Sequence, residues 1–280
     1  MNNILKIDNL EIINENKKRV VRKKCKSNII DKYKYLESKD FHNFINTKIV
    51  DGYEIRDYID EVDISKEDKL NELIYLISIL HTKTTHYKNL SINEIKLFYE
   101  KTTDEIDSIK NYYNKIVEEN DIYMFLKPSI NYLIKNISII LVSLDNCKYF
   151  LDKWYDIVKT KLRKRVVMNH NNLKLSNFIV GTSFYLINFD NSIIDYPIYD
   201  IVSIFKNNYK IIDMIDLFNT YSNKYSLLKE EVYLLFVELL KIEMIDFRDS
   251  EIVNTRKVSN LVLYLSRCSF FLENCMKAKK

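Results

Sequence analysis

The 280-residue chain holds two glycines and two prolines, Gly52, Gly181, Pro128 and Pro197, where an average chain of this length would carry roughly 34. That shortage excludes a collagenous, propeller-like or glycine-rich disordered protein. Ala278 is the only alanine, while Ile, Lys, Asn and Tyr abound. The joint scarcity of Ala, Gly and Pro reads as base-composition drift in the gene, so a missing glycine carries less information than usual. The four cysteines, Cys25, Cys147, Cys268 and Cys275, are scattered and form no CxxC pair. A zinc site is therefore not expected, and reduced thiols in a cytoplasmic protein are the simplest expectation. The start, MNNILKIDNLEI, shows no basic segment followed by an apolar core, so no signal peptide is expected. The most apolar run, Ile137–Leu144, is too short to span a bilayer. A strong excess of one charge is also lacking. Lys and Arg number 43 against 39 acidic residues, a net charge of +4. Dedicated nucleic-acid binders carry a stronger bias, so neither nucleic acid nor a membrane is an expected partner.

What is present suits a protein with a real core in one large domain or two lobes. Apolar residues make up 47% and charged residues 29%. The first quarter reads as short strands around one helix. Leu10–Ile13 and Val20–Val21, separated by the polar turn Asn14–Lys18, predict a hairpin. Ser27–Leu36 predicts a helix with Ile29, Ile30, Tyr33 and Leu36 near one face. Residues 46–59 predict two more strands broken at Asp51-Gly52, a strong hairpin signal. Ser65 with Asp68 three residues on resembles a capping box before the helical stripe Leu70, Leu73, Ile74, Ile77 and Leu80. Long helical patterns follow over Ile92–Glu118 and Tyr123–Lys159. Between Arg165 and Phe189 the period changes to three β-like runs, Val166–Met168, Phe178–Val180 and Tyr185–Ile187, with Gly181 in the last turn. A second strand of that hairpin is expected to run out at Asn188–Asp190. After Pro197 the pattern is helical again, most clearly over Tyr225–Ile245 and Ile252–Lys277.

The chemistry concentrates in residues 165–204, RVVMNHNNLKLSNFIVGTSFYLINFDNSIIDYPIYDIVSI. His170-Asn171-Asn172 is followed after four residues by Asn177. Ile187-Asn188-Phe189-Asp190 comes next, then Asp195-Tyr196-Pro197-Ile198-Tyr199-Asp200. This constellation resembles the aminoglycoside phosphotransferase and choline kinase superfamily, with its protein-kinase-like fold. The family's catalytic loop reads His-Gly-Asp, four residues, Asn; its metal motif reads Ile-Asp-Phe-Asp or similar, followed by Asp-Pro-x-x-Asp. Tyr35-Leu36, Phe41–Phe44 and Leu80–Thr84 are similar to the spore-coat (CotS-like) branch. The resemblance implies an α+β, bilobal fold: a reduced N-terminal lobe of strands plus one helix over residues 1–62, and a helical C-terminal lobe over 63–280 with a catalytic-loop-like β insertion at 165–190.

The departures from the family pattern matter as much as the matches. The catalytic Asp position is Asn172, and the metal-binding Asp position is Asn188. A carboxylate orients the attacking hydroxyl and accepts its proton, which a neutral amide cannot do. An amide oxygen also brings no charge to Mg²⁺. The turn at 14–18 lacks the glycine that lets a backbone approach phosphates closely. Arg22, Lys23 and Lys24 are all candidates for the phosphate-pairing position, with Asp31 or Glu37 as the acidic partner on the following helix. His170 and Asp200 are implied to be structural, the first shaping the loop and the second anchoring it. Asn177, Asn188 and Asp190 are the metal-site positions, should metal bind.

Three functions compete. The first is a catalytically impaired, kinase-like protein of the spore-coat type, a binding or scaffold module with no cofactor and with a protein partner such as spore-coat components, located in the cytoplasm or the coat. The second is an active small-molecule phosphotransferase using ATP, with Mg²⁺ on Asp190 and Asn177. The third is a helical polyanion binder using the run Lys17–Lys26, which has seven Lys or Arg in ten positions. A second basic cluster, Lys159–Arg165, is expected to flank the loop that begins at His170. His81 and His86, five residues apart, lack the spacing of a helical zinc pair and read as packing or surface residues. Trp154 and the tyrosines read as core and rim.

Overall fold

The computed structural model describes residues 5–7, 10–15, 18–25, 29–45, 47–120 and 125–277. Several positions named above therefore lie outside the described residues: 16–17 of the first turn, Lys26 and Ser27, Asn46, Tyr123 and Ala278. In chain order the elements are β1 (Leu5–Ile7), β2 (Leu10–Glu15), β3 (Lys18–Lys24), α1 (Ile29–Ser38), β4 (Thr47–Val50), β5 (Tyr53–Asp57), α2 (Lys66–Thr84), β6 (His86–Asn89) and α3 (Ile92–Asn120). Then come α4 (Pro128–Lys135), α5 (Ile137–Lys161), β7 (Arg163–Asn169), β8 (Phe178–Val180), β9 (Phe184–Leu186), β10 (Ile193–Asp195), α6 (Ile198–Asn208), α7 (Met214–Ser222), α8 (Lys229–Leu240) and α9 (Glu251–Lys277). None of the described helices is long and apolar enough to cross a membrane.

The chain divides into two compact units. The first comprises residues 1–86, 166–204 and 220–226, and the second 87–165, 205–219 and 227–280. The first unit carries a five-stranded antiparallel sheet in the order β1-β2-β3-β5-β4. The expected first hairpin forms with Ile13 opposite Val20 and Ile12 opposite Val21. The Asp51-Gly52 hairpin joins β4 to β5, both turn residues at positive φ (51° and 78°), the backbone that a tight primed turn requires. β3 lies at the centre of the sheet, and its alternation decides where its cations go. Val21 and Lys23 share one face with Arg56 and Glu54 of β5; Arg22 and Lys24 share the other with Ile55 and Tyr53.

α2 begins as its sequence predicts. Ser65 accepts a hydrogen bond from the Asp68 backbone N at 3.0 Å and donates to the Asp68 carboxylate at 2.7 Å. Its buried face contains Leu70, Leu73, Ile74, Ile77 and Leu80, and continues into His81. The 165–190 segment departs in detail from the expected strands. β7 ends at Asn169, Leu175–Asn177 and Phe189–Asn191 are single 3₁₀ turns, and Asn188–Asp190 lie outside any strand. A further strand, β10, pairs with β7 (Ile193 opposite Asn169) and was not legible in the sequence.

The second unit is helical. α5 and α8 form its main contact, with Phe150 against Phe236 at 4.9 Å between ring centroids and Trp154 against Phe98 of α3 at the same separation. Two expected helices are shorter than their patterns. Tyr123–Lys159 is interrupted at Asn136, which closes α4 and opens α5. Tyr225–Ile245 contracts to α8. Beyond Leu240 the backbone carbonyls of Glu243 and Ile245 accept from Tyr113 and Tyr112 hydroxyls (2.9 and 2.5 Å) instead of continuing a helical ladder.

Candidate functional site

Every residue singled out in the catalytic-loop segment lies in the first unit. β7 delivers the chain to His170, and Asp200 in the first turn of α6 catches it there. One Asp200 carboxylate oxygen accepts from the His170 backbone N (2.8 Å), the other from the Asn171 backbone N (2.9 Å). The carboxylate is fully buried and also accepts from His81 Nε2 at 3.3 Å; His81 Nδ1 lies 2.7 Å from the Tyr221 hydroxyl. A carboxylate taken out of water needs such a set of donors. His81 thus belongs to the loop's support, a role its spacing from His86 gave no hint of. Thr84, one helical turn further along α2, receives the Met168 backbone N at 3.0 Å.

His170 is completely buried. Its Nε2 donates to the Ile187 carbonyl at 2.8 Å, and its ring lies edge-on to Phe189. Burial pushes its imidazole below the ordinary value. The ring joins the loop to the 187–189 segment and offers no exposed nitrogen for proton transfer. Asn171 occupies the left-handed region (φ 56°), and its Nδ2 donates to the Asn191 carbonyl.

Beyond the loop, the side chains of Asn177 and Asn188 form a ladder that starts on the backbone carbonyl of Asn172. Asn177 Nδ2 donates to the Asn172 carbonyl (2.8 Å), Asn188 Nδ2 donates to Asn177 Oδ1 (2.6 Å), and Lys23 Nζ donates to Asn188 Oδ1 (3.0 Å). The two ends dictate the polarity of the whole ladder. Lysine can only donate and a carbonyl can only accept, so each amide has a single workable orientation. Lys23 is also ion-paired with Asp190, both side chains being largely shielded from solvent. Asn188 takes the left-handed backbone (φ 65°), a conformation asparagine tolerates well among L residues.

Of the three basic candidates on β3, only Lys23 reaches the loop segment. Arg22 lies over the Tyr53 ring at 3.7 Å and 4.0 Å from Glu11, and Lys24 is exposed. Asp31 and Glu37 are both exposed, and neither forms a described ion pair with Lys23. α1 instead presents Lys32 and Tyr33. Lys32 Nζ donates to the carbonyls of Phe189 (3.2 Å), Asp190 (2.7 Å) and Ser192 (2.9 Å). The Tyr33 hydroxyl donates to Glu54, buried opposite Lys23. Asn43 and Phe44 bridge to β9 through the Leu186 backbone N (2.8 Å) and the Phe184 carbonyl (3.1 Å). Lys32 and Glu54 escaped sequence reasoning because their partners are distant in the chain.

These groups do not fit a divalent cation. Asn177 Oδ1 is taken by an amide, Asn188 Oδ1 and one Asp190 oxygen by an ammonium, and Glu54, the carboxylate opposite Lys23, accepts from the Tyr33 hydroxyl. Among the described residues no group of three or more His, Cys, Asp or Glu side chains is placed to hold a metal ion. Asn172 supplies no carboxylate for a base, and Asp200 is spent on backbone amides. Several members of the basic runs are ion-paired. Arg19 pairs with Asp60, Lys159 with Asp156, Lys161 with Glu230, and Arg165 with Glu231.

No family model matches the sequence, and a search of curated proteins found no relative. Solved structures do match. The aminoglycoside phosphotransferase from Alicyclobacillus acidocaldarius is similar with a TM-score of 0.69 at 9% identity, over 99% of this chain and 92% of that one. A glucosamine kinase gives a TM-score of 0.51 at 9% identity, over 99% of this chain and 78% of that one. The chain therefore has the kinase-like phosphotransferase fold: mixed α+β, with a small antiparallel-sheet lobe and a larger, mostly helical one.

Proposed function

We propose that this chain is a catalytically impaired protein of the kinase-like phosphotransferase fold, a binding or scaffold module of the spore-coat type. One observation carries the proposal: the asparagine ladder, ended by Lys23, occupies Asn177 Oδ1, Asn188 Oδ1 and one of the two Asp190 oxygens, three of the oxygens that a nucleotide-bound metal would need. Phosphoryl transfer depends on positioning and on charge stabilisation by metal ions. Here Asp190, the carboxylate beside the ladder in the metal-motif segment, is ion-paired with Lys23. The partner this implies is another protein, with spore-coat components as the first candidates, in the cytoplasm or in the coat. A polyanion-binding role for Lys17–Lys26 is less well supported, because Arg19, Arg22 and Lys23 are all engaged within the first unit.

The test is a phosphorylation assay with ATP and Mg²⁺ on aminoglycosides, amino sugars and simple amino alcohols, the first two classes taken from the names of the fold neighbours. Turnover at the uncatalysed background is the expected result. Robust turnover that disappears in Asp190→Ala would overturn the proposal in favour of an ATP-dependent phosphotransferase using Asp190 and Asn177.

A further inference from the structure

The turn at residues 188–192 offers five oxygens to lysine ammonium groups. Lys23 takes Asn188 Oδ1 and one Asp190 carboxylate oxygen. Lys32 takes three backbone carbonyls, so each of its N–H donors has an acceptor. Such a concentration of oxygens is what a hard cation seeks. The other Asp190 oxygen, Oδ1, is buried with no hydrogen-bond partner. Buried Arg56 is within electrostatic reach of Asp190 and Glu54. The cluster thus holds three cations against two carboxylates, and an added divalent ion would enter a locally positive environment.

We infer that Lys23 and Lys32 are tethered cations that hold the 188–192 turn in place of a bound ion, fixing the joint between β3, α1 and the loop in one conformation. The consequence concerns regulation. A partner that recognises this part of the first unit meets the same surface whether or not nucleotide and Mg²⁺ are present. The inference rests on the impaired-site proposal in treating the joint as permanent, and it is separable from that proposal by experiment.

Melting curves of the full chain provide the test. The wild type should be unmoved by EDTA, by millimolar Mg²⁺ or Mn²⁺, or by ATP with Mg²⁺, since a ligand specific to the folded state must raise the melting temperature. Lys23→Ala should melt lower by roughly 5 °C or more and should regain part of that loss with Mg²⁺, Mn²⁺ or ethylammonium, which can enter the vacated place beside Asp190. Lys24→Ala, on the opposite face of β3, should show neither effect. Should Lys23→Ala fail to fold, hydrogen exchange on the wild type decides. The amides of α1 and residues 188–192 should be equally protected with and without ATP and Mg²⁺. A Mg²⁺-dependent shift or protection change in the wild type would overturn the inference. So would a Lys23→Ala protein as stable as the wild type, or one that is destabilised and answers to no cation. Robust turnover with an unresponsive wild-type melting curve would instead overturn the impaired-site proposal alone.

Discussion

At the scale of single residues, asparagine and aspartate do the work that glycine does in other chains. Asp40, Asp51, Asn171 and Asn188 all sit at positive φ, where a short polar side chain is tolerated. Gly181 sits where a Cβ would lie 2.5 Å from the Ile59 side chain, so any substitute would have to displace that side chain. Leu162 is the exception. It caps α5 at φ 48° with its side chain half exposed, so little packing compensates the left-handed backbone. Leu162→Gly should stabilise the protein by about 1 kcal/mol, read as a higher midpoint in urea unfolding. His170 yields a second residue-scale prediction. Its folded-state value lies below the ordinary 6.5 through burial. Below that ordinary value the unfolded chain therefore binds the extra proton first. The stability tied to neutral His170 is present above about pH 6.5 and declines as the solution is acidified. His170→Gln keeps a donor for the Ile187 carbonyl and removes the titration. The variant's melting temperature should fall less than the wild type's between about pH 7.5 and pH 5.

At the scale of elements, period and register explain which local readings held. The Ser65 cap, the α2 stripe and the Asp51-Gly52 turn are short-range devices, and each formed where its residues predicted. The choice among Arg22, Lys23 and Lys24 was legible in principle, because Val21 is buried and a period of two places Lys23 on its face. The break at Asn136 and the early end of α8 were not legible. Helical periodicity continues through both, and the competing partners, such as Tyr112 and Tyr113, lie far away in sequence. Element joints also carry stability. Arg165 at the start of β7 grips Glu231 of α8 through Nε at 2.9 Å and a second, parallel contact, with Glu231 almost fully buried. Arg165→Met leaves that carboxylate, among the described hydrogen bonds, with the Leu228 backbone N for compensation. The variant should lose about 3 kcal/mol in denaturant unfolding; a loss within error of zero would show the pair to be solvated.

At the scale of the molecule, the sequence by itself determined the caps, the hairpin turns, most of the helices and the two neutral amides at positions 172 and 188. Those follow from spacing, turn chemistry and side-chain type, all local along the chain. Only the tertiary structure decided what the Asn188 amide does. It brought Lys23 and Lys32 across more than 150 residues to the 188–192 turn, fixed the polarity of the ladder, and recruited His81 and Tyr221 behind Asp200. Hydrogen bonds and ion pairs are satisfied by whatever approaches in space, so no period or motif encodes a partner at that separation.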